Sequence, residues 1–128
     1  MTEFAPGFRL SVRDVIVIVI GIAAASYLFR VEPWWSFAVL FVVAHFFLFC
    51  NVVRMARPLE LVWAATFLAL ASATLLTEAP GWPLTTAVSL VVTVVIVVVQ
   101  MRKASYHGLG WQRINPGLRG WWDATQQR

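Results

Sequence analysis

Residues 79–101 read APGWPLTTAVSLVVTVVIVVVQM, 23 residues without a single charge. The hydrocarbon layer of a bilayer is about 30 Å thick and takes about 20 helical residues to cross. Lipid offers no partner to backbone N–H and C=O groups, so a single apolar stretch can cross only as a helix, which pairs them internally. Three further uncharged runs precede it: Val15–Phe29, Pro33–Val53 and Leu61–Thr77, of 15, 21 and 17 residues. The chain reads as an all-α membrane protein. Four transmembrane helices are expected at about 12–31, 33–54, 59–77 and 83–102, forming two tandem hairpins in a 1–104 transmembrane domain.

Composition agrees. The 128 residues are 60% hydrophobic and 12% charged, against about 25% charged in soluble domains. The formal net charge of +4 has a topological explanation, because cytoplasmic loops of membrane proteins concentrate Lys and Arg. Nine of the ten basic residues fall on one side of the expected topology: Arg9, Arg13, Arg54, Arg57, Arg102, Lys103, Arg113, Arg119 and Arg128. Only Arg30 falls on the other. Both termini are thus expected in the cytoplasm, with the chain in the cell (inner) membrane and no role in binding nucleic acid. The first span has no convincing cleavage site and is expected to serve as its own insertion signal. The outer loops carry Glu32-Pro33-Trp34-Trp35 and Glu78-Ala79-Pro80-Gly81-Trp82-Pro83. Trp34, Trp35 and Trp82 at these points fit an interfacial aromatic belt.

The first span is the shortest. Ser11-Val12-Arg13-Asp14 reads as an acidic variant of a capping box, which starts the helix at Val12. Glu32/Glu78, Met55/Met101 and Arg57/Lys103 match at an offset of 46. That offset fits either a duplicated hairpin or the chance likeness of apolar spans.

Packing candidates are the small residues. Gly21 and Ala25 in span 1, and Ala65, Ala69 and Ala73 in span 3, recur every four positions, which lets helices approach closely in lipid. Span 4 places Thr86, Ser89, Thr93 and Gln100 on one face, either as interhelical hydrogen bonds or as a polar path. Span 2 carries Phe37, Phe41, Phe46, Phe47 and Phe49, and within it His45. An ionisable group at this depth is costly and faces the protein interior or a cavity. His45 has three readings: a hydrogen bond to a hydroxyl such as Ser89, Thr66 or Thr93; axial ligation of a haem or chlorophyll-type macrocycle; or proton handling. No cofactor is otherwise expected. Cys50 lies about 140° round the helix from His45 and reads as a small buried hydrophobe.

At the cytoplasmic end, Asp14, Arg54, Glu60 and Arg102 reach one membrane level. They form either an ion mouth or interfacial charge that fixes register. The tail, residues 105–128, is SYHGLGWQRINPGLRGWWDATQQR. Its Gly and Pro break any long helix. Trp111, Trp121 and Trp122 beside cations suit an anionic headgroup layer or a docking partner. No run of residues forms a catalytic motif, so no enzyme is expected. The expected role is a non-catalytic accessory or structural subunit, in contact with the bilayer and with other membrane subunits or itself. The alternatives are a homo-oligomeric channel or transporter, and a pigment- or haem-binding subunit using His45.

Overall fold

The computed structural model describes residues 3–128, so residues 1 and 2 of the expected 1–104 domain lie outside the described residues. Among the described residues every regular element is helical.

Helix α1 (Val12–Leu28) starts at the capping box read from the sequence. The Asp14 carboxylate accepts from the backbone N–H and the hydroxyl of Ser11, both at 2.7 Å, and the Asp14 N–H donates to Ser11 Oγ at 3.3 Å. Helix α2 (Pro33–Phe47) starts with Pro in its first turn, where the missing N–H is not needed. It continues without a break into a π-helical turn, Leu48–Val52. Helices α3 (Arg57–Thr77) and α4 (Trp82–Met101) follow, each again with Pro in its first turn. Three segments, Pro33–Val52, Arg57–Thr77 and Trp82–Met101, are long and apolar enough to cross a membrane. Helix α1 ends at Leu28, three residues before the expected 31, and its 17 residues make about 25 Å of helix.

α1 lies against α2, and α3 against α4. Gly21 meets the Val43 side chain so closely that a Cβ at residue 21 would overlap it. Ala25 is buried beside this contact, and its carbonyl accepts from Ser36 Oγ at 2.7 Å. At the other end of the pair, Asn51 Nδ2 donates to Asp14 Oδ2 at 2.9 Å. α1 therefore runs antiparallel beside the whole length of α2, from the level of Asn51 to that of Ser36. The core between the pairs is aromatic: Phe49, Trp63, Phe67, Ala71 and Ile96 are buried together, with Phe41 packed against them.

The small-residue stripe of α3 lies on its outer face, which leaves it open to a neighbouring subunit. Ala65 and Ala69 are exposed and Ala73 is half-buried. The face of α3 turned inward carries Trp63, Phe67, Ala71 and Thr74. Large rings fill the space between helices, so the small stripe faces away.

The end of α2 explains how the chain termini are placed. In the π turn Val53 N–H donates to Leu48 O, at 2.8 Å, and Met55 N–H to Phe49 O, at 2.7 Å. The carbonyls of Asn51 and Val52 have no successor in the helix, as at any helix C-terminus. Arg9 N–H donates to Asn51 O and Leu109 N–H to Val52 O, so one partner comes from each end of the chain. Gly7 N–H donates to His107 O at 2.7 Å, tying the two arms to each other. Gly108 lies so near the Val52 and Val53 carbonyls that a side chain there would strike backbone. Tyr106 and Leu118 are fully buried. Burial pushes the Tyr106 phenol above its usual range, and its O–H donates to Leu109 O at 2.8 Å.

The tail is thus a folded cap on the bundle. It carries two short helices, α5 (Trp111–Ile114) and α6 (Leu118–Gln126), rather than one long one. Trp111 and Trp122 meet Phe4 edge-on at 5.9 and 5.5 Å between centroids, and the Arg119 guanidinium lies 4.9 Å over the Phe4 ring. Two of the three tail tryptophans expected to anchor lipid or a partner are therefore used inside the chain, while Trp121 stays exposed.

Replacing Gly21 with Leu overfills the α1–α2 contact and lowers stability by about 1–3 kcal/mol, with Val43→Ala in the same chain restoring part of the loss. Thermal unfolding in detergent of the single and double variants measures both effects.

Candidate functional site

His45 lies inside the bundle where α2, α3 and α4 meet. Its Nδ1 is 2.7 Å from the carbonyl oxygen of Phe41, one turn back on its own helix, and its Nε2 is 3.0 Å from Thr93 Oγ1 on α4. A carbonyl only accepts, so Nδ1 carries the hydrogen, and in the neutral ring Nε2 accepts. Trp63 of α3 donates its indole N–H to Thr93 Oγ1 at 2.9 Å, with Ser89 O at 3.2 Å as a second acceptor. Thr93 Oγ1 is also 2.8 Å from Ser89 O. One hydroxyl thus joins three helices.

The stoichiometry decides what this node can do. With a neutral imidazole, the single Thr93 hydrogen goes to His45 Nε2 while Oγ1 accepts from Trp63. With an imidazolium, Oγ1 accepts from both rings and its hydrogen turns to Ser89 O. Rotation of one hydroxyl therefore satisfies either protonation state. The Trp63 ring stacks on His45 at 4.4 Å and 17°. Phe41 at 4.3 Å and Phe49 at 5.6 Å enclose the ring further.

Of the readings of His45, the geometry matches the hydrogen bond to a hydroxyl, and picks Thr93 from the three candidates. A macrocycle on this ring would have to displace Thr93 and part the aromatic side chains. Axial ligation needs a free ring nitrogen and open space before it, whereas Nε2 is bonded to Thr93 and the ring is packed between aromatic side chains.

The inward polar row of α4 is Thr85, Ser89, Thr93 and Gln100, all buried. It differs from the expected row at its first member. Thr86 is half-buried and bonds back to Trp82 O at 2.8 Å, while Thr85 meets Thr74 of α3, Oγ1 to Oγ1, at 3.0 Å. Gln100 closes the lower end: its Oε1 accepts from Ala56 N–H at 3.3 Å and its Nε2 lies 3.5 Å from Arg54 O, which holds the turn between α2 and α3. Ser89 Oγ and Asn51 Oδ1 are the buried side-chain atoms without a partner among the described residues.

Asp14, Arg54, Glu60 and Arg102 do not assemble into a ring. Asp14 bonds Ser11 and Asn51. Glu60 pairs with Arg57 at 3.2 Å and faces Cys50 Sγ at 3.6 Å. Arg54 Nη1 donates to Ala5 O at 2.6 Å, and Arg102 is exposed. Asp14, Arg54 and Glu60 are thus each engaged with a different local partner. Cys50 is half-buried and bonded rather than a purely apolar filler. At the opposite end Trp34 and Trp82 stack at 6.4 Å, and Trp35 lines an apolar cleft with Trp82, Leu28 and Ala71.

Trp63 is the main residue that sequence reasoning passed over. The signal was its depth: it lies six residues into α3 rather than in an interfacial belt, and a buried indole N–H needs an acceptor. With this geometry in hand, comparison with known proteins adds no relative: no family model, curated protein or solved structure matches the chain.

Thr93→Val leaves His45 Nε2 and the Trp63 N–H without their shared partner and costs about 1–3 kcal/mol of stability. Thr93→Ser keeps the hydroxyl and loses less. Thermal midpoints in detergent, followed by Trp fluorescence, measure the difference.

Proposed function

We propose that this chain is a multi-pass inner-membrane protein that serves as a non-catalytic accessory or structural subunit of a larger membrane assembly. The observation that supports this reading most is the division of its surface. The polar groups that chemistry or transport would need are turned inward and largely bonded to one another, while the small-residue stripe of α3 is turned outward at Ala65 and Ala69. Small residues on an exposed helix face admit close approach by another helix in lipid. Around them Leu61, Val62, Leu68, Leu75 and Leu76 are exposed and apolar.

The channel reading has less support. The exposed residues of α4 are Pro83, Leu84, Ala87, Leu90, Val91, Val94, Val95, Val98 and Val99. A path formed between copies at this helix would be lined by these apolar side chains and not by the polar row. The haem reading lacks a free ligand atom at His45.

In the proposed topology α1 is a fourth crossing. The Asp14–Asn51 and Ser36–Ala25 bonds hold it alongside α2 over nearly all of that helix's length, so whatever depth α2 traverses, α1 traverses too. The basic bias puts the capped end, with both termini, in the cytoplasm.

Two experiments test this. Gentle solubilisation from the native membrane, a native gel and mass spectrometry of the band are expected to find the chain in a larger assembly, and Ala69→Phe to release it. Because Ala69 is exposed, that change should alter the chain's own stability by no more than about 0.5 kcal/mol. Migration of the wild type as an isolated monomer overturns the subunit reading. For sidedness, single cysteines at Glu3→Cys, Val31→Cys and Arg128→Cys in a Cys50→Ala background are probed with an impermeant thiol reagent. Only the Val31→Cys chain should label from outside, and labelling of all three from one side removes the four-span topology.

A further inference from the structure

Beneath the folded cap, the N-terminal arm, the end of α2 and the tail enclose a cavity of about 590 Å³. Arg9, Arg54 and His107 line it, with Phe4, Phe8 and Trp122 as aromatic wall. Its one carboxylate is Glu3, which is exposed. The volume is in the ordinary range for a small-molecule site, about 300–1,000 Å³.

Two arginines share this cavity, and neither has an ion pair among the described residues. Arg54 Nη1 donates to Ala5 O, which fixes its guanidinium and leaves most of its five N–H donors uncommitted. The Arg9 side chain has no hydrogen bond among the described residues, although its backbone N–H is held by Asn51 O. The two guanidinium groups repel each other. The nearest carboxylate, Asp14, which attracts Arg9 from an adjoining cleft, is already bonded to Ser11 and Asn51, so an anion between the arginines relieves a repulsion that Asp14 offsets only in part. The wall is built rather than incidental: Gly7 is bonded to His107 O, and Phe4 is clamped by Trp111 and Trp122. Arg54 itself is fixed in left-handed backbone, φ 53°, a conformation uncommon outside glycine.

The geometry points to a binding site for a phosphate or phosphodiester group, held between Arg9 and Arg54 with His107 at its edge. Guanidinium forks match phosphate oxygens in paired, charge-assisted hydrogen bonds. The aromatic wall suits an amphiphile, because Phe8 is half exposed and touches Phe47 of α2 at 5.8 Å between rings. An apolar surface thus leads from the cavity onto the flank of a helix that is long and apolar enough to cross a membrane. Basic pockets at this level are where anionic headgroups are bound in membrane proteins. The phosphate group could equally belong to a soluble molecule. The site does not depend on the subunit role, and only its lipid arm rests on the membrane reading.

The test uses the full chain in neutral detergent and in nanodiscs of phosphatidylcholine mixed with phosphatidylglycerol. Native mass spectrometry counts the lipids retained. The wild type is expected to retain phosphatidylglycerol preferentially. Arg9→Gln and Arg54→Asn should each weaken retention about tenfold, the loss of one charge-assisted contact, while Arg113→Gln leaves it unchanged. Asn is chosen at residue 54 because it tolerates left-handed backbone. Arg9→Gln keeps the backbone bond to Asn51 O and gives up, besides the proposed contact, only the attraction to Asp14, so its folding is expected to be spared, and an unchanged elution profile checks this. If phosphatidylglycerol is not preferred but inorganic phosphate raises the thermal midpoint of the wild type and not of Arg9→Gln, the phosphate comes from a soluble ligand. Equal lipid retention by wild type and Arg9→Gln, with no response to phosphate, overturns the site.

Discussion

The hydroxyl of Thr93 is the point on which the bundle turns. Lipid cannot satisfy a polar group, so the imidazole of α2 and the indole N–H of α3 must find their partner inside the protein. They find the same one. This fixes the rotation of three helices about their axes at once, since a turn of any of them would carry its polar atom away from the others. The aromatic packing follows from that alignment: Trp63 lies nearly parallel to Phe67, 2° apart at 5.3 Å, and stacks on His45, while Phe41 and Phe49 fill the flanks.

The second constraint works at the end of α2. A helix leaves carbonyls unpaired where it stops, and a π turn there widens the backbone and presents them sideways. The chain answers with its own ends, Arg9 from the N-terminal arm and Leu109 from the tail. The same bonds that close the helix therefore assemble the cap, bury Tyr106 and Leu118, and create the basic cavity between arm and tail. Structure at this end is a consequence of hydrogen-bond completion, and the same bonds shape the cavity.

Together these constraints separate inside from outside. Polar side chains are drawn inward by their need for partners, so the outer surface is left to Val, Leu and the alanine stripe. A protein organised this way offers its environment shape and apolar contact along its sides, and charge only at its ends.

The helical class, the three helices long and apolar enough to cross a membrane and the capping of α1 by Ser11 and Asp14 were legible in the residues, because they depend on local composition and on hydrogen bonds within a few positions. Length and hydropathy bear on whether a segment can cross, and Pro marks the first turn of α2, α3 and α4. Which face of each helix points inward was not legible. Ala65, Ala69 and Ala73 offered as regular a spacing as Trp63, Phe67 and Ala71, and Thr86 sits beside Thr85, so only contact with neighbouring helices chose between them. The folding of the tail onto Phe4 and Val52 was equally hidden, for it joins residues about a hundred and about fifty positions apart. Sequence alone settles which segments avoid water, because hydropathy is a property of each residue. Tertiary structure alone settles which polar atoms meet, because each must be completed by a partner from another part of the chain.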